Sequence, residues 1–244
     1  EVREDVADYL GEVQAVDAYV AALVAEVKAA GMLERTLIVA SGDHGMPGVP
    51  QGKCELKDHG TAVALVARVP GGTPGRVVDD LVSLPDLAPT FLEVGGVPRP
   101  EGMTGQSLLP QLRSAESGQI DPARTFVITG IERHVDVARD GNLPYPMRAL
   151  RTADHLYIRN FAPDRLPLGR PGIAAAGAAA DASVLEHDTL AAYPDMDAGP
   201  TKSWLVRHGM EPEWRWLFDH SFAVRPAEEP VSYTHLTLPT KRIV

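Results

Sequence analysis

Apolar residues keep a three- and four-residue rhythm over the opening segment. Val6, Tyr9, Leu10, Val13, Val16, Val20, Leu23, Val24 and Val27 fall on one stripe of a helix. Gly31 suits the position just past its end, where a left-handed backbone costs a residue without Cβ little. The pattern predicts a helix that covers a sheet. Thr36 to Ala40 is then apolar on both faces, as in an interior strand of a parallel sheet with helices on each side. Ala62 to Val69 reads as a second core strand stopped by Pro70-Gly71-Gly72, and Leu84 to Leu92 as a short helix ended by Gly95-Gly96.

Between Val97 and Pro122 the pattern lapses into Gly, Pro, Ser and Gln, a connection between two parts. Thr125 to Thr129, Met147 to Arg151 and His155 to Phe161 follow as short strands with turns between them, an antiparallel sheet. The Ala/Gly stretch Ile173 to Ser183 carries little positional information. Lys202 to Gly209 and Glu213 to Phe218 read as short helices that pack Trp204, Trp214 and Trp216. The expected fold class is α/β: a partial mixed or parallel sheet sandwiched by helices over residues 1–115, with a small α+β antiparallel-sheet subdomain over residues 116–230. Residues 231–244 (VSYTHLTLPTKRIV) resemble a translated sequencing-adapter tail and are expected to be non-native.

Composition narrows the function. A net charge of −10 argues against non-specific nucleic-acid binding, so an anionic ligand needs a local basic pocket. No apolar run approaches the roughly 18 residues of a membrane span. One cysteine excludes a disulfide framework within the chain.

The candidate chemistry lies where the first core strand ends. In TLIVASGDHGMPGVPQGK, Asp43 and His44 stand at the strand's carboxyl end, where open α/β sheets collect ligands. A carboxylate and an imidazole can share a divalent cation, although two donors do not complete a site. Lys53 returns toward the same edge just before the next strand, and its ammonium can neutralise a sulfate or phosphate oxygen. Lys57 and His59 are weaker candidates in the same turn.

Taken together, TLIVASGDHG, the Gly/Pro loop, GK-x-x-L-x-x-x-G-T-x-V-x-L and LVSLPDLAPTFLEVGGVPRPEGMTGQSLLP resemble the C-terminal half of a sulfatase catalytic domain, within the alkaline phosphatase superfamily. RALRTADHLYIRNFAPDR, with the preceding ERH and YPMR, resembles bacterial relatives of heparan N-sulfatase. The resemblance spans about residues 5–229. It implies that Asp43 and His44 bind one Ca²⁺ and that Lys53 holds the substrate sulfate. It places Glu132, Arg133, His134, Tyr145 and Arg148 near the pocket mouth, with a sulfated carbohydrate as substrate and a periplasmic or extracellular location.

The family's nucleophile, a formylglycine made from the first residue of C-x-P-S-R or S-x-P-S-R, is absent from this sequence. Cys54 stands in K-C-E-L-K and is expected to be structural. Arg225-Pro226-Ala227-Glu228-Glu229 resembles the start of a family segment that continues L-Y-D-L, so the chain reads as a fragment cut at both ends. Two other readings compete: a two-metal phosphodiesterase or phosphomutase of the same superfamily, suggested by S-G-D-H-G-M, and a non-catalytic module.

Overall fold

The computed structural model describes residues 2–232 of the chain. The opening stripe forms helix α1 (Val2–Ala29), and Gly31 takes φ 67° just beyond it. α1 buries none of its residues. Leu10, Val16, Tyr19 and Leu23 are more than half exposed and only Val20, Val24 and Val27 are half-buried, so most of its apolar stripe lies open among the described residues. Its anchor is polar: the Asp5 carboxylate accepts from the Thr201 backbone N–H at 2.7 Å and from the Thr201 hydroxyl, at the start of α6 (Pro200–His208).

Strand β1 (Ile38–Ser41) pairs with β2 (Leu65–Arg68), after the one-turn helix α2 (Asp58–Thr61). Their pairing corrects the expected parallel arrangement. It is antiparallel, with Ile38 opposite Arg68 and Ser41 opposite Leu65. A parallel neighbour needs a crossover that packs on the sheet, usually a helix. The segment between them holds only the one-turn helix α2, too short to serve as such a crossover, and it returns the backbone in the opposite sense.

A 3₁₀ turn at Leu84–Asp86 leads into α3 (Leu87–Val94), followed by α4 (Leu109–Arg113). Asp86 ties this region together. One carboxylate oxygen accepts from the Gln106 N–H at 2.8 Å, and the other pairs with the buried Arg124 guanidinium at 2.8 Å.

The second half carries the expected antiparallel sheet with one strand more than the pattern showed. β3 (Phe126–Ile131), β4 (Met147–Thr152), β5 (His155–Asn160) and β6 (Glu228–Ser232) lie in that order. Alternation along β4 and β5 turns Met147, Ala149, Leu156 and Ile158 inward and Arg148, Tyr157 and Arg159 outward. β6 is an edge strand, which is why it tolerates Pro230. Val231 and Ser232, assigned to the foreign tail from sequence, pair with Leu156 and His155 in this sheet. Residues 233–244 lie outside the described residues.

Beside the sheet, α5 (Ala182–His187), α6 and α7 (Arg215–Phe222) enclose a second core around Leu185, Tyr193, Leu205, Val206 and Phe222. Tyr193 stacks on Phe222 with ring centroids 4.0 Å apart. Trp204 and Trp214 meet edge to face at 4.9 Å, whereas Trp216 stays 64% exposed and packs less than expected. The architecture is therefore mixed α/β, with helices and two antiparallel sheets.

Candidate functional site

The loop after β1 is built so that its side chains are dealt to different partners in turn. Its start is pinned by the Gly45 N–H donating to Gly60 O at 2.9 Å, and a Cβ on Gly45 would fall 1.6 Å from His59 O, so only glycine fits there. Lys53 points toward a cavity. Cys54 packs against the helical core, Glu55 meets Arg225 and Leu56 enters the core of the four-stranded sheet. Gln51 and Cys54 hold φ of 61° and 70°, an uncommon conformation for residues with a Cβ. Such backbone persists when the surroundings over-determine it.

Here the surroundings are ion pairs, one of them buried and two partly exposed. Arg225 donates to Glu55 at 2.6 Å with both side chains almost fully buried, Lys57 pairs with Glu229 at 3.5 Å, and Arg151 makes a two-pronged pair with Asp58 at 3.1 Å. The Lys53 loop is thus fastened to the sheet and to the segment that enters β6.

The cavity this creates has a volume of about 760 Å³. Asp43, His44, Lys53, Asp58, His134 and Arg151, with Cys54 and Glu55 from the Lys53 loop, supply its charged and titratable wall, and β3 supplies part of its apolar wall. Asp43 reaches into solvent, and its Oδ1 accepts from the His44 N–H at 3.0 Å. His44 Nδ1 lies 2.9 Å from Gly45 O, which assigns a proton to Nδ1. Its Nε2 faces Asp43 Oδ2 at 3.4 Å. Two acceptors this close repel unless a proton or a cation stands between them. A ligating histidine ordinarily donates its other N–H to a carbonyl or carboxylate in this manner. Asp43 and His44 therefore fit a divalent cation as two of its donors. Among the described residues no cluster of three or more His, Cys, Asp or Glu completes the set.

Lys53 Nζ donates to Asp197 Oδ1 at 3.4 Å, and Oδ2 of the same carboxylate is 3.1 Å away. Asp195, two residues earlier, is buried between His134 Nδ1 at 3.6 Å and Arg139 at 3.0 Å, and it accepts from the Val135 N–H at 3.0 Å. The turn Asp195-Met196-Asp197 thus backs two wall residues at once. Every cationic or imidazole side chain lining the cavity faces an acid: Lys53 with Asp197, Arg151 with Asp58, His134 with Asp195 and His44 with Asp43.

Of the sequence-derived candidates, the structure brings Asp43, His44, Lys53 and His134 to this one cavity. It does not bring the others. Arg148, on the outward face of β4, pairs with Glu132 at a separate shallow dent, and Arg133 is exposed. Tyr145 is buried in the sheet core, 3% exposed, because its ring belongs to the cluster with Met147 and Ile158. Burial pushes its hydroxyl pKa up to about 12. Cys54 is likewise driven up to about 12, first by burial and then by Asp195, and so stays a neutral thiol. Asp195, Asp197 and Arg151 were not singled out from sequence. Only the alternation of acids in Pro194-Asp195-Met196-Asp197 marks the first two.

Residues 1–97, which contain Asp43, His44 and Lys53, match the Sulfatase family. Over these residues the chain is similar to the sulfatase family. It is 40% identical over 109 residues to a Drosophila melanogaster extracellular sulfatase SULF-1 homolog, a match covering 43% of this chain and 10% of that protein. It is 31% identical over 170 residues to Homo sapiens N-sulphoglucosamine sulphohydrolase, covering 65% of this chain and 32% of that protein. Among solved structures, a phosphonate monoester hydrolase from Silicibacter pomeroyi aligns with 25% identity and a TM-score of 0.49, over 59% of this chain and 30% of that one. In these two curated relatives the match spans at most about a third of the protein.

Proposed function

We propose that the chain contributes the metal-and-sulfate half of a sulfatase active site, acting on sulfate esters or N-sulfate groups of a glycan. The observation that carries this reading is the convergence of Asp43, His44 and Lys53 on one cavity within a segment of sulfatase sequence. Asp43 Oδ2 and His44 Nε2 hold a divalent cation, taken as Ca²⁺, with further oxygen donors supplied from elsewhere in the protein. That ion, when bound, supplies positive charge to an oxyanion and lowers the cost of an anionic nucleophile. Lys53 neutralises sulfate oxygens as the bond to sulfur breaks, and His134, backed by Asp195, lies in the wall to contact the sugar or the leaving group. The paired wall supports the need for the ion: the lining side chains bring no net positive charge that would attract an anion unaided.

The nucleophile in this reading is a formylglycine on a segment other than residues 1–244, because no C-x-P-S-R or S-x-P-S-R occurs in the sequence and Cys54 is an uncharged thiol. The largely open apolar stripe of α1 among the described residues supports further sulfatase sequence packing there. A periplasmic or extracellular location belongs to the same proposal. The domain division at residues 115 and 116 is retained in it as a boundary of sequence pattern, crossed by the Glu55–Arg225, Lys57–Glu229 and Arg151–Asp58 pairs.

Two measurements test the reading. The purified 244-residue chain hydrolyses neither an aryl sulfate nor N-sulfoglucosamine, and turnover above buffer would contradict the missing nucleophile. The complete gene product hydrolyses one or both with one calcium ion bound per chain. Two bound zinc or manganese ions together with phosphodiester hydrolysis would instead establish the phosphoryl-transfer alternative.

A further inference from the structure

Lys53 and Asp197 are separated by 144 positions and meet at 3.1 Å in a wall where only a fifth to a third of either side chain is exposed. Asp197 is therefore a negative charge held beside the one ammonium that reaches this cavity among the described residues. An ammonium has three N–H donors, and Asp197 takes one through Oδ1. Its Oδ2 makes no directed hydrogen bond to any described group. A sulfate oxygen accepting from a second donor of the same nitrogen would stand about 5 Å from the Asp197 carboxylate, since two acceptors on one tetrahedral nitrogen are held that far apart.

At that separation the repulsion scales with the charge on the anion. A sulfate ester or an N-sulfate carries one negative charge, whereas free sulfate carries two and a phosphate monoester approaches two near neutral pH. We propose that Asp197 is a specificity-determining residue that biases the Lys53 subsite toward monoanionic sulfate groups. It does so by penalising dianions, which covers both the product sulfate and phosphate monoesters. The proposal rests on the reading of Lys53 as the sulfate ligand. Asp195 has a different task, holding His134 and Arg139, and does not share this effect.

The test uses the complete gene product, its nucleophile position changed to alanine so that nothing turns over, with calcium chloride present at low ionic strength, where charge effects are not screened. Sodium sulfate and sodium methyl sulfate are titrated separately and followed by NMR. Asp197→Asn keeps the side-chain volume and removes the charge. It tightens methyl sulfate about threefold and sulfate about tenfold, the square of the first factor because the energy is proportional to charge. Asp195→Asn leaves the ratio of the two affinities unchanged. Equal tightening of both anions by Asp197→Asn, or none, overturns the proposal. Asp197→Ser, checked by thermal unfolding, supplies the same comparison should the asparagine variant melt early. Lys53→Met in parallel separates the two levels of the argument. If it leaves both affinities as in the wild type, the Lys53 reading itself has failed; if it weakens both while Asp197→Asn changes nothing, only the role of Asp197 has failed.

Discussion

Replacing Arg225 by methionine destabilises the chain by about 3–5 kcal/mol at pH 8, the usual cost of stripping one partner from a buried ion pair, and by distinctly less at pH 5. Glu55 and Arg225 have side chains only 2% and 7% exposed and lie 2.6 Å apart. Burial pushes the Glu55 carboxyl up to about 7 from 4.5, Glu229 adds to the rise, and Arg225 and Lys57 oppose it. A folded carboxyl pKa above the unfolded one means that the native state holds the proton more tightly. The contribution of Glu55 to stability therefore falls as pH rises from about 4.5 to about 7 and is level above that. Removing Arg225 removes the main cation restraining the rise, so the falling limb extends to higher pH. At pH 5 Glu55 is protonated in both proteins, and the substitution loses mainly a hydrogen bond, about 1 kcal/mol. Urea unfolding at the two pH values measures the difference, and a loss of equal size at both would show that Glu55 does not titrate as argued. Adding Glu55→Gln to the variant recovers most of the loss at pH 8, because a neutral amide no longer has to be ionised in a buried place.

That pair also marks the limit of what the sequence disclosed. The helix α1, the strand before Asp43, the helix after Ser83 and three strands of the second sheet were legible because each follows a local period or a local stop signal. Asp43, His44 and Lys53 were legible for a related reason. They punctuate the end of an apolar run and the start of the next, and the loop joining them is too rich in Gly and Pro to be anything but a connection. The partners that place Lys53 were not legible. Asp197 lies 144 positions from it, and Arg225 lies 170 from Glu55, so no window of local pattern holds both members of either pair. β6 was hidden by Pro230 and by its lying partly in the segment assigned to a foreign tail.

Tyr145 and Arg148 show the converse failure. Resemblance placed both at the pocket mouth, but strand alternation decides where they go. Tyr145 packs into the core that continues through Met147 and Ala149, and Arg148, one step out of phase, is turned to the opposite face. His134 escapes this constraint because it stands beyond the end of β3, where the buried Asp195 carboxylate holds it toward the cavity.

In the complete sulfatase proposed above, Lys53→Met lowers kcat/KM for a sulfate ester by about 10²–10³, the scale of removing one donor aimed at a developing oxyanion. Lys53 is 21% and Asp197 29% exposed, and Oδ2 of Asp197 is buried, so stripping away its cation costs roughly 1–3 kcal/mol of stability. A variant that still unfolds in one cooperative transition well above the assay temperature shows that the loss of rate is one of chemistry and not of folding. Part of the loss has a second origin. Without the ammonium, Asp197 faces the bound sulfate as an uncompensated negative charge, so Lys53→Met combined with Asp197→Asn is faster than Lys53→Met alone. Lys53→Arg recovers part of the rate, since it restores the charge but directs it through a planar fork. Steady-state kinetics on the three variants decide the matter. A kcat/KM for Lys53→Met within fivefold of the wild type would remove Lys53 from the reaction, and with it the reason for an acid at position 197.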